Sequence, residues 1–234
     1  MKSIPFVVAL VVLWVGPAWA GSYFPIQPSS SWEYVGDQGG NARARILGSQ
    51  EVLGANTTVR EWVRTSTTSP ESLVNYWSTN TEGDVFLHGF TRFDGLQLIY
   101  DPPVLFLDMP LSMDRTWQTV TVVYSDFGGA FPTGDTLTVG YQVSSIGDRT
   151  VPAGSWFGYA VREGVVSSGT EKFSLTLAGT ALRPEDEPFY ENWFVQDVGE
   201  IEIQTDEVFK LATMSLPPTA VEAVSWTTIK SLYR

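Results

Sequence analysis

His88 is the only histidine in the chain, and there is no cysteine. A Ser-His-Asp triad would have to run through His88. No Gly-x-Ser-x-Gly elbow accompanies it, and it sits in an aromatic-rich strand pattern, Val85-Phe86-Leu87-His88-Gly89-Phe90. It is therefore expected to be a structural histidine. Thiol catalysis, cysteine-ligated zinc and iron–sulfur clusters are excluded, and a lone histidine makes a poor zinc site. Carboxylates are plentiful, so a glycosidase-like acid pair stays open by count. The densest group is Glu185-Asp186-Glu187, inside the proline-bracketed run Arg183 to Pro188. Such a loop is usually solvated, and calcium is its sharper alternative. No Asp-x-Asp-x-Asp-Gly loop, dinucleotide fingerprint or phosphate loop is present. No catalytic residue, metal or cofactor is assigned, and the protein is expected not to be an enzyme.

The ends of the chain speak to address rather than chemistry. Lys2, the apolar run Phe6 to Val15 and Ala18-Trp19-Ala20 form a signal-peptide pattern, with cleavage expected after Ala20. The apolar run is too short to span a bilayer, which takes about 20 residues. The expected product is secreted or periplasmic and not membrane-spanning after cleavage. The net charge of −12 repels nucleic acid and anionic headgroups, so neither is an expected partner.

The elements that must carry any site are strands. Val139, Tyr141 and Val143 alternate with Gly140, Gln142 and Ser144; Phe173, Leu175 and Leu177 alternate with polar residues; Ile201 and Ile203 alternate with Glu200 and Glu202. Period-two alternation marks antiparallel strands with one wet face. Turn signals divide them: Gly36 to Asn41, Glu82-Gly83-Asp84, Phe93-Asp94-Gly95, Gly128-Gly129 and Ile146-Gly147-Asp148. Residues 65–72 read as a Ser/Thr-rich loop. The expected fold class is all-β, one large antiparallel curled sheet with few or no long helices. It comprises a signal peptide at 1–20, a single β domain at 21–216, and a tail or last element at 217–234.

One phrase occurs twice. Phe24-Pro25-Ile26 leads after five residues to Trp32, and Met109-Pro110-Leu111 leads after five residues to Trp117. Proline cannot donate to a β-ladder, so it belongs before a strand or at its edge. Tryptophan then opens a strand facing inward. Pro25, Trp32, Pro110 and Trp117 are thus structural, two clasps in one curled sheet rather than the halves of a duplication. Pro152 and Gly154 suit a turn in Val151-Pro152-Ala153-Gly154. Gly199 suits a tight turn or bulge after Val198.

These stretches resemble a group of uncharacterised exported bacterial proteins. Its opening phrase is of the YFPLxxGNSWxY type, here Tyr23 to Tyr34. Its middle phrase is of the PPxxxLxxPLxxGxxW type, here Pro102 to Trp117. A VPAGxF phrase corresponds to Val151 to Trp156, and a WYxxxVGxV phrase to Trp193 to Ile201. The chain departs from the pattern where the group has glycine, near Pro28-Ser29 and near Met113-Asp114. The resemblance implies a half-barrel similar to the periplasmic lipoprotein-carrier fold (LolA/LolB-like), whose concave face can hold acyl chains.

The expected role is to bind a hydrophobic, lipid-like or amphipathic ligand in that concave face. The expected lining is Trp62, Leu96, Leu98, Tyr100, Val104, Phe106, Leu107 and Trp193, since cavities of this kind are mostly apolar and aromatic. The alternatives are an envelope interaction module that docks a protein partner through its tail, and a carboxylate-dependent hydrolase.

Overall fold

A computed structural model describes residues 22–65, 70–125, 135–168, 190–205 and 207–217. The signal-peptide pattern, the strand expected at Phe173 to Leu177, the acidic run Arg183 to Pro188, Gly128-Gly129 and nearly all of the tail lie outside them.

The described chain forms strands in strict succession: β1 (Ser31–Gly36), β2 (Asn41–Val52), β3 (Ala55–Thr65), β4 (Pro70–Thr79), β5 (Val85–Arg92) and β6 (Gln97–Leu107), then β7 (Thr116–Ser125), β8 (Asp135–Val151), β9 (Gly154–Ser168), β10 (Tyr190–Val195), β11 (Gly199–Gln204) and β12 (Val208–Ser215). Each pairs antiparallel with its neighbours, and β1 pairs with both β2 and β12. The expected all-β curled sheet is therefore what the chain builds. The curl goes beyond a half-barrel to a closed one, which leaves no free sheet edge.

Alternation decides which side chains enter the barrel. In β2, Ala42, Ala44 and Ile46 are buried while Asn41, Arg43 and Arg45 are exposed. In β8, Val139, Tyr141 and Val143 are buried and Gln142 is exposed, as the pattern predicts. Apolar residues thus turn inward and polar ones outward, the reverse of a lipid-facing barrel. A ring of twelve strands is too wide for aliphatic side chains alone to fill. Aromatic rings bridge it. Phe106 of β6 lies 4.9 Å from Trp77 of β4, 5.7 Å from Tyr141 of β8 and 5.7 Å from Phe194 of β10. Burying each such ring stabilises the fold by about 1.5–3 kcal/mol.

Two expectations are corrected. Ile146-Gly147-Asp148 is not a turn: β8 runs through it, and Gly147 pairs with Gly158 of β9. The reversal comes at Pro152-Ala153, between Val151 and Gly154. Glu200 and Glu202 do not line a wet face, since both are buried. An irregularity between Trp193 and Phe194 sets Phe194 opposite Glu200 and Trp193 opposite Glu202. That extra residue turns Glu200 to the interior and leaves Glu202 on the outer side.

The long β8–β9 hairpin reaches past β10 and β11 to β12. Its tip is held by the Ala153 N–H donating to the Leu211 carbonyl at 3.0 Å. Arg149 on the same hairpin pairs with Glu202 and covers the Trp193 ring at 5.2 Å. A Cβ on Gly158 would stand 2.6 Å from the Phe194 carbonyl oxygen, so only glycine permits this approach.

Candidate binding site in the barrel interior

The barrel encloses a polar centre among its aromatics. Arg60 of β3 and Glu200 of β11 meet at 2.6 Å, with side chains 7% and 4% exposed. Arg60 faces inward because it shares a strand face with Trp62, two residues on. Its guanidinium lies 5.0 Å from the Phe24 ring and 5.7 Å from Trp32. Tyr34 of β1 donates its hydroxyl to the Glu200 carbonyl at 3.0 Å. Burial works to strip Arg60 of its proton, but Glu200 and then Tyr34 outweigh it and leave its pKa raised. Burial raises the Tyr34 pKa strongly, against the pull of Arg60.

A second carboxyl stands nearby. Glu163 of β9 lies opposite Tyr141, which lies opposite Trp117. Burial, and then the charge on Glu200, push its pKa up to about 8, while the neighbouring Tyr141 side chain pulls the other way. Burial also raises Tyr100 and Tyr141 well above the ordinary tyrosine value, with Glu163 adding to both shifts. The centre thus holds one carboxyl paired with an arginine and a second, Glu163, whose burial favours its neutral form at pH 7.

Beside the Arg60–Glu200 pair is a cavity of about 10 Å³, lined by Arg60, Trp62, Asn75, Trp77, Phe106, Glu200 and Ile203. That is about the room one water needs. Several buried polar atoms here have no hydrogen-bond partner: Arg60 Nε, Asn75 Oδ1, Trp77 Nε1, Tyr100 OH and Glu200 Oε2, the last in ionic contact with Arg60 only. Leaving a buried polar group unpaired costs about 1–3 kcal/mol. Four of these atoms belong to residues that line one cavity, which makes it a place for a polar atom of something else.

The near end of this interior is closed by the segment before β1. Phe24 enters and lies 4.6 Å from Trp77 and 5.9 Å from Phe106. The segment is tied to the β10–β11 turn: the Asp197 N–H donates to the Ser22 carbonyl at 2.8 Å, and the Ser22 N–H to Asp197 Oδ1 at 3.1 Å. The Trp32 indole donates to the Val198 carbonyl at 2.8 Å. Gly199 adopts φ +96, and a Cβ there would meet Pro25 Cδ at 3.0 Å.

Of the lining expected from sequence, Trp62, Tyr100, Val104, Phe106 and Leu107 are buried in the core, and Leu98 packs against it in part. Leu96 is half-buried in the turn before β6. Trp193 lies on the opposite side of β10 from Phe194, beneath Arg149. Trp32 and Trp117 are each the second residue of a strand, and both are buried. Pro110 lies before β7, Pro152 in the β8–β9 reversal, and Gly154, at φ 150, at the start of β9. His88 Nε2 sits 2.8 Å from Ser78 Oγ, and burial lowers its pKa. Among the described residues no carboxylate orients its ring.

Arg60, Asn75, Trp77, Glu163 and Glu200 were not anticipated. For Arg60 a signal existed, its inward phase with Trp62; Glu200 was hidden by the irregular pairing of β10 and β11. A larger groove, of about 370 Å³, lies over Gly140 and Gly164 between Gln118, Gln142 and Arg162. Its one charged wall is already satisfied, since Arg162 Nε donates to Glu191 at 2.9 Å. The unmet groups therefore point to the interior rather than to this groove.

No family model and no curated protein matches the chain. Among solved structures, the chain is similar to a candidate exported protein of YmcC-like fold from Bacteroides fragilis, with 11% identity, a TM-score of 0.46, and coverage of 84% of this chain and 100% of that one. It is also similar to a candidate lipoprotein from Parabacteroides distasonis, with 9% identity, a TM-score of 0.44, and coverage of 84% and 99%.

Proposed function

We propose that this is an exported, non-enzymatic β-barrel protein that binds an amphipathic, lipid-like ligand in its interior. The observation that carries this reading is the set of buried polar atoms without a hydrogen-bond partner, Arg60 Nε, Asn75 Oδ1 and Trp77 Nε1, which with the Arg60–Glu200 pair belong to residues around one small cavity within aromatic walls. Such a mixture, apolar surface with a few converging polar groups, is the usual make-up of a ligand site. Export rests on the pattern of Lys2, Phe6 to Val15 and Ala18-Trp19-Ala20. The cavity holds about one water, so an acyl chain enters only as interior side chains give way. Mass spectrometry of protein purified without detergent should find a co-purifying amphiphile. Delipidated protein should then take up a fluorescent fatty acid with saturation. Protein that carries nothing and takes up no fatty acid is not a lipid-like-ligand binder.

A second reading draws on Glu163 and Glu200. Two buried carboxyls, Glu163 with its pKa raised by burial and Glu200 held by Arg60, differ in surroundings as the acid and base of a hydrolase do. Hydrolysis of a panel of nitrophenyl glycosides and esters, lost in Glu163→Gln, would favour it.

A further inference from the structure

The Phe24 ring does not merely cap the barrel. It rests on Trp77 and Phe106 and beneath the Arg60 guanidinium, three of the residues that line the small polar cavity. A ring, a cation over its face and unpaired polar atoms on residues of the adjoining cavity together make a pocket for a single aromatic ring bearing one polar substituent. The ring would take the cation–π and edge contacts that Phe24 now makes. Its substituent would meet what Phe24 lacks: the Trp77 indole N–H as donor and Asn75 Oδ1 as acceptor, both buried and unpartnered.

The described part of the covering segment, from Ser22, is locally held. Ser22 and Asp197 exchange two hydrogen bonds, Tyr23 packs edge-on against Tyr159 at 5.5 Å, and the Phe24 N–H donates to the Ser22 hydroxyl at 3.2 Å. Ser22 and Asp197 are exposed. The hydrogen bonds that hold the segment are thus few and partly in water, and its dry contacts centre on the Phe24 ring, which a ligand ring in the same place would replace. An end segment held this way can open locally while the strand ladders stay paired.

The geometry points to Phe24 as an internal occupant of a ligand pocket, displaced when a phenol-type ring binds in its place. This deepens the reading of the interior as a ligand site and rests on it. The ligand class is an aromatic ring with a hydroxyl or carbonyl on its edge, whatever larger group it is attached to.

The test uses the mature chain with Phe24→Ala, and Phe24→Leu as a milder variant that keeps an apolar cap, titrated with phenol and with benzene. Phenol is expected to bind either folded variant about tenfold more tightly than benzene, one hydrogen bond's worth. Adding Trp77→Phe should reduce that preference, and adding Asn75→Leu as well should erase it, while benzene binding persists. In the wild type, phenol should bind more weakly and should speed amide exchange at Phe24. Folded variants that bind neither ring, or both rings equally, overturn the pocket. A wild type that binds phenol with Phe24 exchange unchanged overturns displacement. Fatty-acid uptake by the wild type, with no phenol binding to either folded variant, would leave the lipid-like reading standing and this one fallen.

Discussion

Arg60 and Glu200, on strands four places apart around the barrel by way of β1 and β12, meet at 2.6 Å with almost no solvent between them. Desolvating both ions is costly, and their mutual attraction offsets it only while both are present. Arg60→Met should leave Glu200 as an unpaired buried charge and cost about 3–5 kcal/mol, and Glu200→Leu should strand Arg60 at similar cost. The double variant should be markedly more stable than the sum of the singles implies. Urea unfolding of all four proteins gives the coupling directly. Additive losses below about 1 kcal/mol each would place the pair in solvent.

Glu163 makes stability fall with rising pH. Its pKa is about 8 in the fold against an ordinary value of 4.5. Below 4.5 both the folded and unfolded chains carry the proton, and its contribution is fully present. Between 4.5 and 8 the unfolded chain loses the proton while the folded one keeps it, so stability drops by up to about 1.4 kcal/mol per pH unit. Above 8 the contribution is gone. Glu163→Gln, which keeps the shape of the side chain and cannot ionise, should lack this slope. The variant should gain on the wild type steadily from pH 5 to pH 8. Parallel stability profiles across that range would mean that Glu163 is ionised in the fold.

The outer hairpin offers an independent check. Gly158→Ala would drive a Cβ toward the Phe194 carbonyl oxygen, 2.6 Å away, and toward Val195 Cγ2, 3.0 Å away. A backbone oxygen cannot swing aside, so the hairpin must lift, at about 1–3 kcal/mol. The loss should register at a distance: the Ala153 amide, bonded to the Leu211 carbonyl, should exchange faster. Unchanged protection at Ala153 would mean that the hairpin tip is held independently of Gly158.

What was legible in the sequence followed from period two. Val139, Tyr141 and Val143 announce an inward face because nothing interrupts the pleat of β8 there. The pattern failed where pairing slips. Beside Trp193 and Phe194, one extra residue in β11 moves Glu200 inside, and no alternation can show that. Ile146-Gly147-Asp148 has turn residues but lies inside a ladder, because Gly147 faces Gly158 across it. Closure was illegible for a different reason. It depends on β1 finding β12, a contact between the two ends of the described chain, and local residue types carry no trace of it. Phe24 is the same case. Its ring meets Trp77 and Phe106 only once the barrel has closed around them.

Trp32 and Trp117 are related by more than spacing. Each indole donates to a main-chain carbonyl, Val198 at 2.8 Å and Leu105 at 3.0 Å. Their strands, β1 and β7, stand six places apart in a ring of twelve, on opposite walls. Three residues before each tryptophan is a non-glycine residue with positive φ, Ser29 at 72° and Asp114 at 62°. These are the positions where the resembling phrases carry glycine. The turn bonds match as well: Ser30 N–H to the Gln27 carbonyl at 3.2 Å, and Arg115 N–H to the Ser112 carbonyl at 3.1 Å. A left-handed conformation costs an ordinary residue about 1–2 kcal/mol, and aspartate tolerates it better than serine. Glycine removes that cost but returns about 0.4–1 kcal/mol to the unfolded chain. Ser29→Gly should therefore be neutral to slightly stabilising, and Asp114→Gly close to neutral. Valine at either site should destabilise by about 1–2 kcal/mol, with each kcal/mol lowering Tm by about 2–4 °C. With the two turns on opposite walls, the paired valine variants should add within about 0.5 kcal/mol. Valine tolerated as well as glycine at both positions would show that neither clasp depends on its left-handed residue.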